Sequence, residues 1–75
     1  MDKMTEVAKI ESKLSDLLKD NDGLGADFIA QDILNAYPDA GLEYYTVLEV
    51  CKNASGAEEI AVFIFNQMTD YAYAE

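Results

Sequence analysis

A chain of 75 residues with fifteen acidic residues against five lysines carries a formal net charge of −10, and its length predicts one domain, residues 1–75. The single cysteine cannot pair within the chain, no histidine is present to bind a metal, and the longest apolar run, residues 60–65, is far too short to cross a bilayer. We therefore expect a cytoplasmic domain without a membrane-spanning segment, a disulfide or a zinc site.

The charge is distributed unevenly along the chain. Residues 1–19 contain four acids and four lysines, whereas residues 20–75 contain eleven acids and only Lys52. The entire net charge therefore lies beyond residue 19. We expect nucleic acid and anionic membranes to repel such a chain and a basic protein surface to attract it. Acidity that only maintains solubility is the alternative explanation.

Three turn clusters, at residues 21–23, 38–41 and 53–56, divide the chain into four segments. At about 100° per residue, each segment forms one apolar stripe, which is typical of an amphipathic helix. We predict an all-α four-helix bundle with helices over roughly residues 4–20, 25–37, 40–53 and 56–73.

The first two segments have clear helix ends. Ile10 and Leu14 lie on the apolar side of the first segment, and Gly23 follows its last turn, where a left-handed glycine closes a helix at little cost. Ile29 and Ile33 lie on the apolar side of the second segment, which must end before Pro38.

The last two segments are rich in residues that favour strands, so an α+β fold with a C-terminal hairpin is the alternative. Periodicity favours helices, because Val47 and Cys51 share a helical face, whereas a strand would place Glu49 on their side. Ser55 and Glu58 also have the spacing of a capping box ahead of the fourth helix.

The stretch Gly25-Ala26-Asp27 resembles the Gly-Ala-Asp-Ser run of acyl carrier proteins, which are also short, acidic and helical. The resemblance would imply a phosphopantetheine arm on a serine that opens the second helix. Phe28 occupies the position of that serine and has no hydroxyl to carry the arm. We therefore expect no carrier function and no cofactor.

Residues 20–31 partly match the loop of a calcium-binding EF-hand. Asp20, Asp22 and Gly25 fit its first, third and sixth positions. Leu24 at the fifth position offers no side-chain oxygen, and Gln31 at the twelfth cannot supply the bidentate carboxylate. We expect no bound metal.

The chain contains no recognisable catalytic group. Histidine and arginine are absent, and no serine or lysine lies in a sequence context that would activate it. Cys51 lies on the apolar side of the third predicted helix, where a small core residue is expected rather than a reactive thiolate. We predict that the protein is not an enzyme.

The outward faces of the second and third predicted helices carry carboxylates, and Phe28 lies among them. Dispersed charge steers an encounter, and an aromatic side chain supplies a desolvated contact. We predict a partner with a basic surface of the kind that binds nucleic acid or phosphate. By type rather than by motif, the chain is similar to phage and mobile-element accessory proteins, including DNA mimics, that inhibit host or defence enzymes. The predicted partner-binding residues are Asp20, Asp22, Asp27, Phe28, Asp32, Asp39, Glu43 and Glu49.

The fourth predicted helix is apolar nearly all round at residues 60–65, so it needs cover on two sides. Val62, Phe63 and Tyr73 lie on its otherwise polar side, and we predict that they form a self-association surface in a homodimer. Cover by a neighbouring helix of the same subunit is the alternative for Val62 and Phe63. A self-assembling structural or regulatory module without a different partner is the second functional hypothesis.

Overall fold

The protein consists of four α-helices in a computed structural model that describes the backbone of residues 3–74 and the side chains of residues 3–69. The predicted all-α bundle is confirmed. No strand occurs within residues 3–74, so the alternative with a C-terminal hairpin is wrong. The helices are α1 (Lys3–Asp20), α2 (Ala26–Ala36), α3 (Tyr44–Asn53) and α4 (Ala57–Ala74).

The apolar stripes of all four helices meet in one core. Helix α1 packs mainly along α4, and α2 packs mainly along α3, while lighter contacts join the two pairs. Half-buried side chains such as Val7, Tyr37 and Phe65 surround the core and extend its apolar contacts. The buried residues of the core are Ile10, Leu14, Ala30, Ile33, Val47, Ile60, Ala61 and Ile64.

The third helix begins at Tyr44, so the predicted start near residue 40 is wrong. Gly41 has a φ of 70°, which a right-handed helix cannot accommodate. Glu43 follows in an extended conformation, with φ −107° and ψ 132°, and caps the helix. Ala40 is buried, so the segment before Glu43 packs on the core as a loop instead of as a helical turn. The predicted left-handed glycine after α1 is confirmed, since Gly23 has a φ of 84°.

Helices α1 and α4 run antiparallel. Lys3, at the start of α1, lies over the ring of Phe65 at 5.9 Å, whereas Glu58, at the start of α4, lines the same groove as Glu11. Helix α4 therefore continues past the first turn of α1. Met68 is 40% exposed there, although Ile64 one turn earlier is fully buried. None of the helices in the described part of the chain has both the length and the apolar character needed to cross a lipid bilayer.

Candidate functional site

The loop between α1 and α2, residues 21–25, is a tight turn. The Asn21 amide donates to the Leu17 carbonyl at 3.1 Å, and the Leu24 amide donates to the Asn21 carbonyl at 2.9 Å. Gly25 is the N-cap of α2 and adopts an extended conformation, and its carbonyl accepts from the Phe28 amide at 3.1 Å. These backbone bonds hold the end of α1 against the start of α2.

A buried side chain strengthens the same turn. Asn21 is only 7% exposed, and its Nδ2 donates to the Leu17 carbonyl at 2.9 Å and to Asp32 Oδ2 at 2.7 Å. Both amide hydrogens are therefore used, one of them in a charge-assisted bond. Asp32 is exposed but contributes to the fold, so it is not free to act only as a partner-binding group.

Two large apolar side chains project from this turn into solvent. Leu24 and Phe28 are each 50% exposed, and Phe28 follows Leu24 by four positions. Sequence reasoning placed Phe28 on the outward face but missed Leu24, although its position between two glycines of a turn was a signal of exposure. Asp22 lies two positions before Leu24, and Asp27 lies directly before Phe28; both aspartates are exposed.

We call the surface around the turn the acidic corner. Asp20 and Asp32 line one groove between α1 and α2, together with Asp16, an acid that sequence reasoning did not single out. Lys13 also lines this groove, but its Nζ lies over the ring of Tyr37, 5.0 Å from the centroid, at the other end of α2. The acidic corner consists of Asp20, Asp22, Leu24, Asp27, Phe28 and Asp32.

The other predicted partner-binding residues lie elsewhere. Asp39 and Glu43 belong to the loop after α2. Helix α2 has 11 residues and is about 16 Å long, so this loop lies at the end of α2 opposite the acidic corner. Glu49 lies on the outward face of α3 and lines a shallow groove with Glu59. The structure therefore brings together five of the eight predicted residues and separates Asp39, Glu43 and Glu49 from them.

Glu43 also contributes to the fold. Its Oε2 accepts from the Thr46 amide at 2.9 Å and from Thr46 Oγ1 at 2.9 Å, which caps the first turn of α3. The hydrogen bond from the Thr46 amide, followed by the one from the Thr46 hydroxyl, lowers the pKa of this carboxyl. Glu49 is held less tightly, since its Oε2 accepts from Asn53 Nδ2 at 3.3 Å.

The predicted self-association residues do not form one surface. Val62 lines a groove between α1 and α4, whereas Phe63 is half-buried and packs against the core. Tyr73 lies outside the residues whose side chains are described. Cover within the same subunit thus accounts for Phe63, while Val62 stays open to another molecule.

The described residues offer little other chemistry. No three of their cysteine, aspartate and glutamate side chains form a group that could hold a metal ion. Cys51 is half-buried, and burial raises the pKa of its thiol, which disfavours the reactive thiolate. Phe28, which occupies the position of the serine in an acyl carrier protein, is half exposed and has no hydroxyl to which a phosphopantetheine arm could be attached.

Comparisons with protein-family models, with curated proteins and with solved structures find no match to this chain. Its function must therefore be inferred from the geometry and charge of its own surfaces. Among these, the acidic corner combines exposed carboxylates with exposed apolar side chains on a tightly held turn.

Proposed function

We propose that this protein is a small acidic binding module whose acidic corner docks onto a basic, nucleic-acid- or phosphate-binding type of surface on a partner protein. The observation that carries this proposal is the pair Leu24 and Phe28, each 50% exposed, within a group of exposed aspartates. Exposed apolar side chains rimmed by charge are characteristic of binding surfaces.

Charge and apolar area have different roles in this proposal. The net charge of −10 raises the rate of encounter with a basic surface, and this effect weakens as salt increases. Affinity comes mainly from apolar contact, since complete burial of a leucine or phenylalanine is worth about 1.5–3 kcal/mol. Leu24 and Phe28 are half exposed, so burial of the remainder contributes roughly half of that for each.

The rigidity of the turn favours binding. A loop that must be ordered on docking loses part of its interaction energy to that ordering. Here Asn21 already joins α1 to α2, and the Phe28 amide is already bonded to the Gly25 carbonyl. The apolar pair is therefore presented in a fixed position before any partner arrives.

Occupation of a phosphate-binding surface has a functional consequence. The partner could no longer bind its own anionic ligand, so the module acts as a competitive inhibitor of the partner. This is the mode expected for an acidic phage or mobile-element protein that mimics DNA and blocks a host or defence enzyme. The geometry of the corner supports docking, and the carboxylates provide the negative charge that such competition requires.

A photo-crosslinking residue introduced at position 28 tests the proposal in the cells that naturally express the protein. We expect one predominant partner, crosslinked through a lysine- or arginine-rich surface and identified by mass spectrometry. The same crosslinker at position 45 is the control, because Tyr45 is 71% exposed on α3, away from the corner. Recovery of no partner from position 28, or of the same partners from both positions, would contradict the proposal.

Matched charge reversals then locate the surface on the purified complex. Asp20→Lys with Asp22→Lys should weaken binding at least about tenfold and reduce its salt dependence, because the steering charge and rim contacts are lost. Asp20 is the last residue of α1 and Asp22 lies two positions beyond it, so lysine at both positions is compatible with the helix dipole and the fold should persist. Asp32 is left unchanged because it holds Asn21.

The control is Asp39→Lys with Glu49→Lys, which changes the net charge by the same amount outside the corner. We expect this pair to reduce the association rate modestly and to leave the dissociation rate unchanged. Equal losses of affinity from the two pairs would mean that overall charge, and not the acidic corner, determines binding.

A further inference from the structure

A second exposed surface lies on the opposite side of α1 from the α2 groove. It is a groove of about 350 Å³ between α1 and α4, which we call the α1–α4 groove. Its sides are apolar and are formed by Met4, Val7, Ala8 and Val62. Lys3 lies at one end of it, and Glu11 and Glu58 lie at the other.

The charges of this groove are arranged so that it is complementary to itself. Lys3 and Glu11 are eight residues apart on one helix, a distance of about 12 Å along its axis. A two-fold rotation about the middle of the groove brings Lys3 of one copy opposite Glu11 and Glu58 of the other. The apolar side chains of the two copies then meet at the centre, as an isologous interface requires.

Charge also selects the part of the surface where two copies can meet. Each copy carries −10, and beyond residue 19 it has eleven acids and only Lys52, so most faces repel one another. Residues 1–19 contain four lysines that balance their four acids. Helix α1 therefore provides the face on which a second copy meets the least repulsion.

We propose that the α1–α4 groove is a two-fold self-association surface and that its occupant is a second copy of this chain. Of the predicted self-association set, Val62 lines this groove and Phe63 does not, so Val7 and Ala8, which line it, take the place of Phe63. It is independent of the proposed docking of the acidic corner, because the groove and the corner share no residue.

The limited apolar area of the groove predicts a weak association between the two copies. A stable interface buries about 800 Å² per partner, roughly a sixth of the 4887 Å² that this chain exposes. Ala8 and Val62 are small side chains, so the apolar contact is limited. We expect a reversible dimer with a dissociation constant between about 10 μM and 1 mM.

Salt distinguishes this association from docking of the acidic corner. Raising ionic strength from about 0.01 M to 0.15 M shortens the Debye length from about 30 Å to about 8 Å, which screens the repulsion between the two copies. The local pairs of Lys3 with glutamate are solvent-exposed and contribute little by themselves. Dimerisation should therefore strengthen with salt, whereas binding of a basic partner should weaken.

Sedimentation equilibrium of the purified full-length chain tests the inference, at protein concentrations from about 10 μM to about 1 mM. We expect a monomer–dimer equilibrium whose dissociation constant falls at least about threefold between the two salt concentrations. A chain that stays monomeric throughout, or a dimer that weakens as salt is raised, would overturn the proposal. Neither result would affect the proposed docking, which is measured on a different complex.

Variants then assign the interface. Ala8→Glu introduces a carboxylate at an exposed helical position in the groove and should leave the chain monomeric, with its helical circular dichroism unchanged. Tyr45→Glu adds the same charge on the exposed face of α3 and should leave the dimer intact. A dimer that persists in Ala8→Glu, or one that Tyr45→Glu abolishes, shows that the interface lies elsewhere.

A charge exchange tests the two-fold arrangement. Lys3→Glu turns two weak attractions in each dimer into two repulsions, because every charged group that lines the groove is then acidic, and should weaken the dimer about threefold to tenfold. Combining Lys3→Glu with Glu11→Lys restores opposite charges across the two-fold axis and should recover dimerisation. Failure of this combination to recover the dimer, in a chain that remains helical, contradicts the proposed arrangement.

Discussion

The two loops that flank α2 have similar sequences but are stabilised differently. The first, residues 21–25, follows α1 with Asn-Asp-Gly, and the second contains Pro-Asp-Ala-Gly. In the first loop the buried side chain of Asn21 donates both amide hydrogens. Before the second loop the hydroxyl of Tyr37 is buried without a hydrogen-bond partner. A buried polar side chain thus ties down the first loop, whereas the second loop is held by packing, by backbone geometry and by the exposed cap of Glu43.

This difference matters for what each loop presents to solvent. The buried side chain of Asn21 fixes the backbone of the first loop, so the loop stays ordered although Leu24 projects into solvent. In the second loop Ala40 is buried and Gly41 reverses the chain with a φ of 70°, so the loop closes over the core. Only the first loop combines fixed backbone with exposed apolar area, which is why we assign docking to it.

Removal of the Asn21 side chain should produce the largest change in stability. Asn21→Ala leaves the Leu17 carbonyl with fewer partners and loses the charge-assisted bond to Asp32, a type worth about 1.5–3 kcal/mol. We expect the free energy of unfolding, measured with urea, to fall by about 2 kcal/mol or more. Asn35→Ala, at an exposed position of α2, is the matched control and should change it little. Equal effects would mean that the first loop does not depend on Asn21.

The Glu43 cap at the end of the second loop should make the stability of the protein depend on pH. The hydrogen bonds from Thr46 lower the pKa of Glu43. The ionised carboxylate therefore stabilises the fold at any pH above the range in which a free glutamate titrates, about 4–5. This stabilisation is lost as pH falls through the lowered pKa. Glu43→Gln keeps an acceptor but removes the charge. The variant should therefore be less stable than the parent at neutral pH, and the two urea midpoints should converge as pH falls below that range and through the lowered pKa of Glu43.

Glu49→Gln changes the net charge by the same amount on the same helix and provides the control. Its urea midpoint should stay close to that of the parent at neutral pH, because Glu49 makes no bond to the helix start. If Glu43→Gln and Glu49→Gln behave alike, the pH effect arises from overall charge and the cap is not responsible for it.

The fold could be predicted from the sequence because it depends on the helical spacing of apolar residues and on the residues that end helices. Ile10 and Leu14, or Val47 and Cys51, recur at helical spacing, and Gly23 and Pro38 mark helix ends. The start of α3 could not be predicted, because its N-cap is Glu43 and glutamate is not among the preferred N-cap residues.

The candidate site was only partly predictable because tertiary contacts decide it. The outward position of Phe28 follows from helical period alone and is confirmed by its exposure. The bond of Asn21 to Asp32 joins residues 11 positions apart and depends on how α1 meets α2. Phe63 and Val62 are neighbours in sequence, yet the core covers the first and the α1–α4 groove contains the second. Such assignments need the packing of helices, which local patterns do not specify.

The smallest effect, and one of opposite sign, is expected at Tyr37. Its hydroxyl is buried without a hydrogen-bond partner, and burial raises the pKa of this group. An unpaired buried hydroxyl is a net cost, so Tyr37→Phe should leave stability unchanged or raise it by up to about 1 kcal/mol. The ring stays in place beneath Lys13, 5.0 Å from Nζ, which preserves the apolar contact.

Alkaline pH sharpens this test. Because the folded-state pKa of Tyr37 is raised, the parent keeps its full stability below the unfolded pKa of about 10 and loses part of it as pH rises above that value. Tyr37→Phe cannot lose a proton there, so its advantage over the parent should grow between about pH 9 and pH 11. Tyr45→Phe, at a 71% exposed position, should show no such growth. A loss of stability in Tyr37→Phe at neutral pH would instead mean that the hydroxyl is hydrogen-bonded in solution, and the contrast between the two loops would disappear.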